Sequence, residues 1–238
     1  MDRKPLRVLC LHGRGGNAEA FEMQTGLLRK RLSDIAEFDF INGRMLWPQA
    51  KELRLFFSPE MIYYAHYDPG APETIHESET LMLNTVKEKG PYDGVMAFSQ
   101  GCSMAAALML RLLEKSMFRF AIFLCGSGVD GVKDTLKRQA QRGNDDKNNI
   151  KTGVKEVESK SPGLWPTPND FLSSISTMHV LGGEQDPWID EGRALYELCG
   201  GEAGNTRIWD HGQGHQIPLS MMATRKMETL FRETVDRK

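Results

Sequence analysis

"PYDGVMAFSQGC", residues 91–102, decides how the chain folds. GVMAF (94–98) reads as a buried strand, because small and apolar residues follow one another without a polar break. CSMAAALMLRLLEK (102–115) reads as a helix, rich in Ala, Leu and Met. Ser99 stands between them. A serine on a sharp strand-to-helix turn is the elbow of G-x-S-x-G sequences, which lifts its hydroxyl clear of the sheet. The residues two before and two after must be small, because strand and helix converge there. Ala97 and Gly101 satisfy that size rule, although Ala97 stands where the pattern has Gly. A-x-S-x-G alone is a weak motif, and an ordinary Ser-Gln-Gly turn is the competing reading.

Outward from the elbow, β-type runs alternate with amphipathic stretches. RVLCLH (7–12), FDFIN (38–42), RFAIFLC (119–125), TMHVLGG (177–183) and TRIWD (206–210) read as strands, and MIYYAHY (61–67) as a short one. Asn17 is placed to cap a helix carrying Phe21, Leu27, Leu28 and Leu32. Further helices are expected from about Pro72 to Glu88, over EGRALYELCG (191–200), and over 217–235 with Pro218 in the first turn. This alternation predicts an α/β fold: a mostly parallel, doubly wound sheet with helices on both faces. No repeat or second-domain boundary is visible, so residues 1–238 are expected to form a single domain. The polar stretch at about 127–170 interrupts the alternation. It reads either as a lid-like insertion or as a neutral surface loop.

A serine hydroxyl is a poor nucleophile without a base, a group that orients the base, and donors for the oxyanion. WDHGQGHQIP offers His211 and His215 as the base. His211 directly follows a strand run, whereas His215 sits in the loop before the last helix and is preferred. VLGGEQDPWID offers Glu184, Asp186 and Asp190 as the acid. Asp186 lies just beyond a strand and is stiffened by Pro187; Asp190 suits the start of a helix. The order Ser99, Asp186, His215 is the nucleophile–acid–base order of α/β-hydrolases. Oxyanion donors are expected from the backbone N–H of Gln100 and, in LHGRGGN, of Arg14 or Gly15, with Arg14 preferred. GRGGN lacks both the Lys-Ser/Thr of a phosphate loop and the spacing of a dinucleotide fingerprint, which argues against nucleotide binding. His12 is expected to be packed or hydrogen-bonded rather than a second base.

Bulk composition excludes several classes. The chain has 238 residues, a formal net charge of -2, 40% hydrophobic and 26% charged residues. Nothing in that balance advertises a nucleic-acid or membrane surface. No run approaches the ~20 apolar residues of a membrane helix, and MDRKPLRVLCLHG is too short an apolar run for a signal peptide. Cys10, Cys102, Cys125 and Cys199 show no metal-type spacing and read as reduced core thiols of a cytoplasmic protein. No cofactor and no metal are expected.

VLCLHGRGGNAEAFEMQTGLL, GPYDGVMAFSQGC, MHVLGGEQDPWI and HGQGHQIP together resemble a fungal-type serine hydrolase family. That family includes ovarian-cancer-associated esterase homologues and thioesterases of polyketide clusters. The resemblance runs in order along nearly the whole chain. It implies an α/β-hydrolase with a Ser-Asp-His triad at Ser99, Asp186 and His215. Ala97, where many members have Gly, and the bulky Arg14 are departures. The implied substrate is a small-molecule acyl ester or thioester, of polyketide type, with an acyl carrier protein as a candidate partner. Lys133, Lys137, Arg138 and Arg142 form a mildly basic cluster where an acidic carrier would dock, with a solvated helix face as the favoured competing reading. Phe21, Phe98, Tyr64 and Trp188 are the expected substrate-binding residues, with Trp47, Tyr63 and Trp165 as further aromatics; core packing is their competing role. Two other functions stay open: the same fold running acyl transfer, cyclisation or pericyclic or lyase chemistry, and a binding module with a vestigial triad.

Overall fold

The computed structural model describes residues 4–71, 73–111, 118–127 and 175–236. Apart from residue 127, the 127–170 insertion, its basic cluster and Trp165 lie outside the described residues. The strands are β1 (Leu6–Leu11), β2 (Ala36–Ile41), β3 (Met45–Leu46), β4 (Tyr64–Ala65), β5 (Gly94–Phe98), β6 (Phe120–Leu124), β7 (Ser176–Leu181) and β8 (Thr206–Asp210). Six of them form one sheet in the order β2-β1-β5-β6-β7-β8, and every pairing is parallel. β3 and β4 form a separate two-stranded antiparallel pair, so the expected strand at 61–67 shrinks to two residues.

The helices are α1 (Ala18–Gln24), α2 (Gly26–Arg31), α3 (Glu73–Lys89), α4 (Gln100–Arg111), α5 (Ile189–Leu198) and α6 (Met221–Val235). Asn17 caps α1, its side chain accepting the Ala20 N–H at 2.7 Å. The helix expected through Leu32 breaks at Thr25, whose hydroxyl bonds back to the Phe21 carbonyl at 2.8 Å. The last helix starts later than Pro218 suggested. Ser220 caps it instead, accepting the Ala223 N–H at 3.2 Å, and this frees Ile217 and Leu219 from the helix. No helix among the described residues is long and apolar enough to cross a membrane.

Because the central strands are buried on both faces, their alternation splits the core in two. Leu9, Leu11, Val95, Ala97 and Phe123 face one layer with α3, α4 and α5. Val8, Cys10, Met96, Ile122 and Val180 face the other with α1, α2 and α6. Burying a side chain the size of Phe120, Phe123 or Phe231 contributes about 1.5–3 kcal/mol each. This rigid sheet presents the carboxyl ends of β1, β5, β7 and β8 on one edge. β1 and β5 are adjacent there while the chain winds outward on either side, the place where open parallel sheets leave a crevice.

Candidate active site

Ser99 is the residue after β5 and has φ 52°, a left-handed conformation that costs a non-glycine residue roughly 1–3 kcal/mol. Its surroundings hold it there. Its N–H donates to the Leu124 carbonyl at 3.0 Å, and its carbonyl accepts the Cys102 N–H at 2.9 Å. Gly101 is needed because a Cβ there would sit 2.4 Å from the Leu11 carbonyl oxygen. Ala97 is wholly buried and is accommodated. The Gln100 side chain braces the turn from behind, accepting the His66 N–H at 2.9 Å and donating to the Tyr67 carbonyl at 2.8 Å.

His215 reaches this hydroxyl from the loop after β8. Its Nε2 lies 2.8 Å from Ser99 Oγ, and its Nδ1 lies 2.9 Å from Asp186 Oδ1. A carboxylate only accepts, so Nδ1 carries the proton and Nε2 accepts the Ser99 O–H. Asp186 is buried in the turn after β7, where its Oδ1 also accepts the Trp188 N–H at 2.9 Å. The three residues chosen from the sequence are thus one hydrogen-bonded line. The competing acids are elsewhere: Glu184 and Asp190 are exposed and pair with Arg193. His211 stays tied to the strand end through its N–H to the Leu181 carbonyl, 2.9 Å.

The β1 loop closes over the same spot. Gly15 has φ +72°, and its N–H is spent on the Tyr64 carbonyl at 2.8 Å. Neither the Arg14 N–H nor the Gln100 N–H makes a hydrogen bond among the described residues, which leaves those two as donors available to a ligand. His12 fixes the loop. Its Nε2 accepts the Gly43 N–H at 2.9 Å, so Nδ1–H donates to the Gly13 carbonyl at 2.7 Å. His66 stacks on it at 4.6 Å and donates Nε2–H to the His12 carbonyl at 2.8 Å. Burial pushes the His12 pKa down to about 4 and holds His66 well below the ordinary range, so both rings are neutral supports.

A cavity of about 370 Å³ opens on Ser99 and His215. Phe21, Leu53, Phe56, Phe57, Phe98 and Ile217 give it an apolar wall. Phe21 and Phe98 were expected there. Tyr64 and Trp188 do not line it; both act through their backbones instead, Tyr64 on the Gly15–Gly16 turn and Trp188 on Asp186. Leu53, Phe56 and Phe57 were missed, because the 43–70 stretch has no periodicity to read. Arg14 lies at the cavity with its guanidinium 5.9 Å from the Trp47 ring. Cys125, Asp186 and His215 bring metal-type atoms within 4.8 Å of one another. That set is already committed: Asp186 and His215 bond each other, and burial pushes the Cys125 thiol up. Neighbouring His211 accepts the Gln213 N–H at Nδ1, which leaves Nε2 protonated toward Cys125 rather than open to a cation.

The profile of the FSH1 family, described as serine hydrolases, matches residues 1–227. The chain belongs to the FSH1 serine hydrolase family. Esterase FPY3 of Fusarium mangiferae is 30% identical to this FSH1 member over 217 residues, covering 90% of this chain and 88% of that one. Among solved structures, a carboxylesterase from Mesorhizobium loti superposes with a TM-score of 0.57 at 15% identity, covering 97% and 90% of the two chains. Acyl-protein thioesterase 2 of Zea mays also gives 0.57, at 14% identity over 97% and 94%. At such identities the superpositions speak for the α/β-hydrolase fold alone. The family and FPY3 are what make this FSH1 chain a serine hydrolase.

Proposed function

We propose that the protein hydrolyses an ester or thioester of an apolar acyl group, with Ser99, His215 and Asp186 as its triad. The observation that carries this is the hydrogen-bonded line from Ser99 Oγ through His215 to Asp186 Oδ1. Ser99 Oγ attacks the acyl carbon while His215 Nε2 takes its proton. Asp186 holds the ring in the accepting tautomer and stabilises the imidazolium. The carbonyl oxygen, now negative, receives the backbone N–H groups of Gln100 and Arg14. His215 returns the proton to the departing alcohol or thiol, and water then repeats the sequence on the acyl-enzyme.

The acyl tail lies against Phe21 and Phe98, with Leu53 and Phe57 completing the wall. Such a cavity suits a polyketide-type chain, delivered as a small-molecule ester or from a carrier protein's thioester arm, in the cytoplasm. The whole chain acts as one domain in this reading. Ser99→Ala is expected to lower kcat on a p-nitrophenyl ester by roughly 10⁴–10⁶-fold with the thermal midpoint unchanged. An alanine variant with full turnover would end the proposal. Stoichiometric labelling of Ser99 by a fluorophosphonate, with no ester turned over, would favour acyl transfer to an acceptor other than water.

A further inference from the structure

Ser127 lies close to the nucleophile. Its Oγ is buried 3.2 Å from Ser99 Oγ, and its N–H donates to the Ser99 carbonyl at 3.3 Å. The turn after β6 puts it there: Cys125 has φ 44°, one of only two positive values at non-glycine residues among the described residues, the other being Ser99. Among the described residues the Ser127 hydroxyl has no partner except Ser99 Oγ. Ser99 has one hydroxyl proton, and His215 Nε2 accepts it. The proton between the two serines is therefore Ser127's, donated into a lone pair of the nucleophile.

We propose that Ser127 is a further catalytic residue, its hydroxyl donating to Ser99 Oγ through both halves of acyl transfer. This rests on Ser99 being the nucleophile. In the first half the Oγ–C bond forms, the carbonyl π pair moves to its oxygen, and the Ser99 proton passes to His215. In the second half the Oγ–C bond breaks, and Oγ takes a proton back from His215. Ser127 keeps its own proton throughout. Its O–H faces Oγ whenever charge accumulates there, and it selects the Ser99 rotamer aimed at His215 rather than one turned into the cavity. A donor to a charged oxygen inside a water-poor site is stronger than one to a neutral hydroxyl, so its effect belongs to kcat more than to KM.

The test compares wild type with Ser127→Ala, Ser127→Cys and Ser127→Thr, by fluorophosphonate labelling rate and by p-nitrophenyl ester kinetics. Ala and Cys are expected to label Ser99 and turn over about tenfold more slowly, with KM within about twofold of wild type. Thr keeps the hydroxyl and is expected to recover most of that loss. If the alanine variant does not fold, the near-isosteric Cys and the Thr variant carry the comparison. Wild-type rates in Ala or Cys would overturn the proposal, as would Thr as slow as Cys at equal thermal midpoints. Wild type that resists the probe altogether would remove the nucleophile itself, and Ser127's part with it; normal labelling of wild type and Ser127→Ala alike would remove Ser127's part only.

Discussion

His12 and His215 both line the cavity over Ser99, yet the two rings are put to opposite uses. His12 has each nitrogen on a backbone group, Gly13 and Gly43, with a second neutral imidazole stacked on it. His215 has each nitrogen on a side chain, one an acceptor carboxylate and one a hydroxyl that carries a proton. An amide gives and takes no proton at neutral pH, so the first ring is a strut. A hydroxyl beside a carboxylate-oriented ring has somewhere to send its proton. The residue type is the same; partner chemistry and burial assign the role.

Asp186→Asn breaks this contrast most directly, because it gives His215 an amide partner of the kind His12 has. The amide donates to Nδ1, the proton moves to Nε2, and the ring faces Ser99 in the wrong tautomer. Expected is a kcat lowered by about 10³–10⁴-fold with little change in KM. An asparagine variant keeping a tenth of wild-type turnover would show that the carboxylate is not what separates the two histidines.

The strut side is sharpened by acid. The His12 pKa falls from 6.5 to about 4 on folding, His179 falls to about 3, and His66 is lowered too, all by burial. The unfolded chain then binds more protons than the folded one, so stability is lost as pH falls from 6.5 toward 4. His12 alone would remove on the order of 3 kcal/mol by pH 4. Urea midpoints measured from pH 7 to pH 5, above most carboxylate titration, should decline steadily; a flat series would mean these rings are not held neutral. The smallest effect expected is at Ala97. Ala97→Gly should retain kcat and lose about 0.5–1 kcal/mol from strand entropy and a lost methyl. A gain in stability would show that Ala97 strains the elbow.

Much of the site was legible because each of its three principal residues carries a local signal. Ser99 has small neighbours at the right offsets, Asp186 has a strand before it and Pro187 after it, and His215 sits in a glycine-flanked loop before a helix. Chain order then joined them. Parallel topology was legible from alternation, since apolar runs without polar breaks have few other uses. What stayed hidden depends on contacts between segments distant in sequence. Leu53, Phe56 and Phe57 come from a stretch with no period, and Ser127 meets Ser99 only because β6 pairs with β5. Side-chain type points Tyr64 and Trp188 at a substrate, whereas in the fold their backbones make the contacts that matter, to the Gly15–Gly16 turn and to Asp186. Pro218 suggested a helix start that Ser220 supplies, because a side-chain oxygen satisfies a free N–H and proline does not.

Ser99 and His215 are 116 residues apart, and the strand after which Asp186 turns pairs with its neighbours only in parallel. During synthesis the elbow therefore leaves the ribosome long before Asp186 and His215, its partners in the hydrogen-bonded line. A partly made chain has a serine without either partner of that line, so on the proposed triad it is inert toward esters. On the same triad, hydrolytic competence arrives only as the segment holding β7, β8 and α6 docks, so an incomplete chain cannot attack an acyl group.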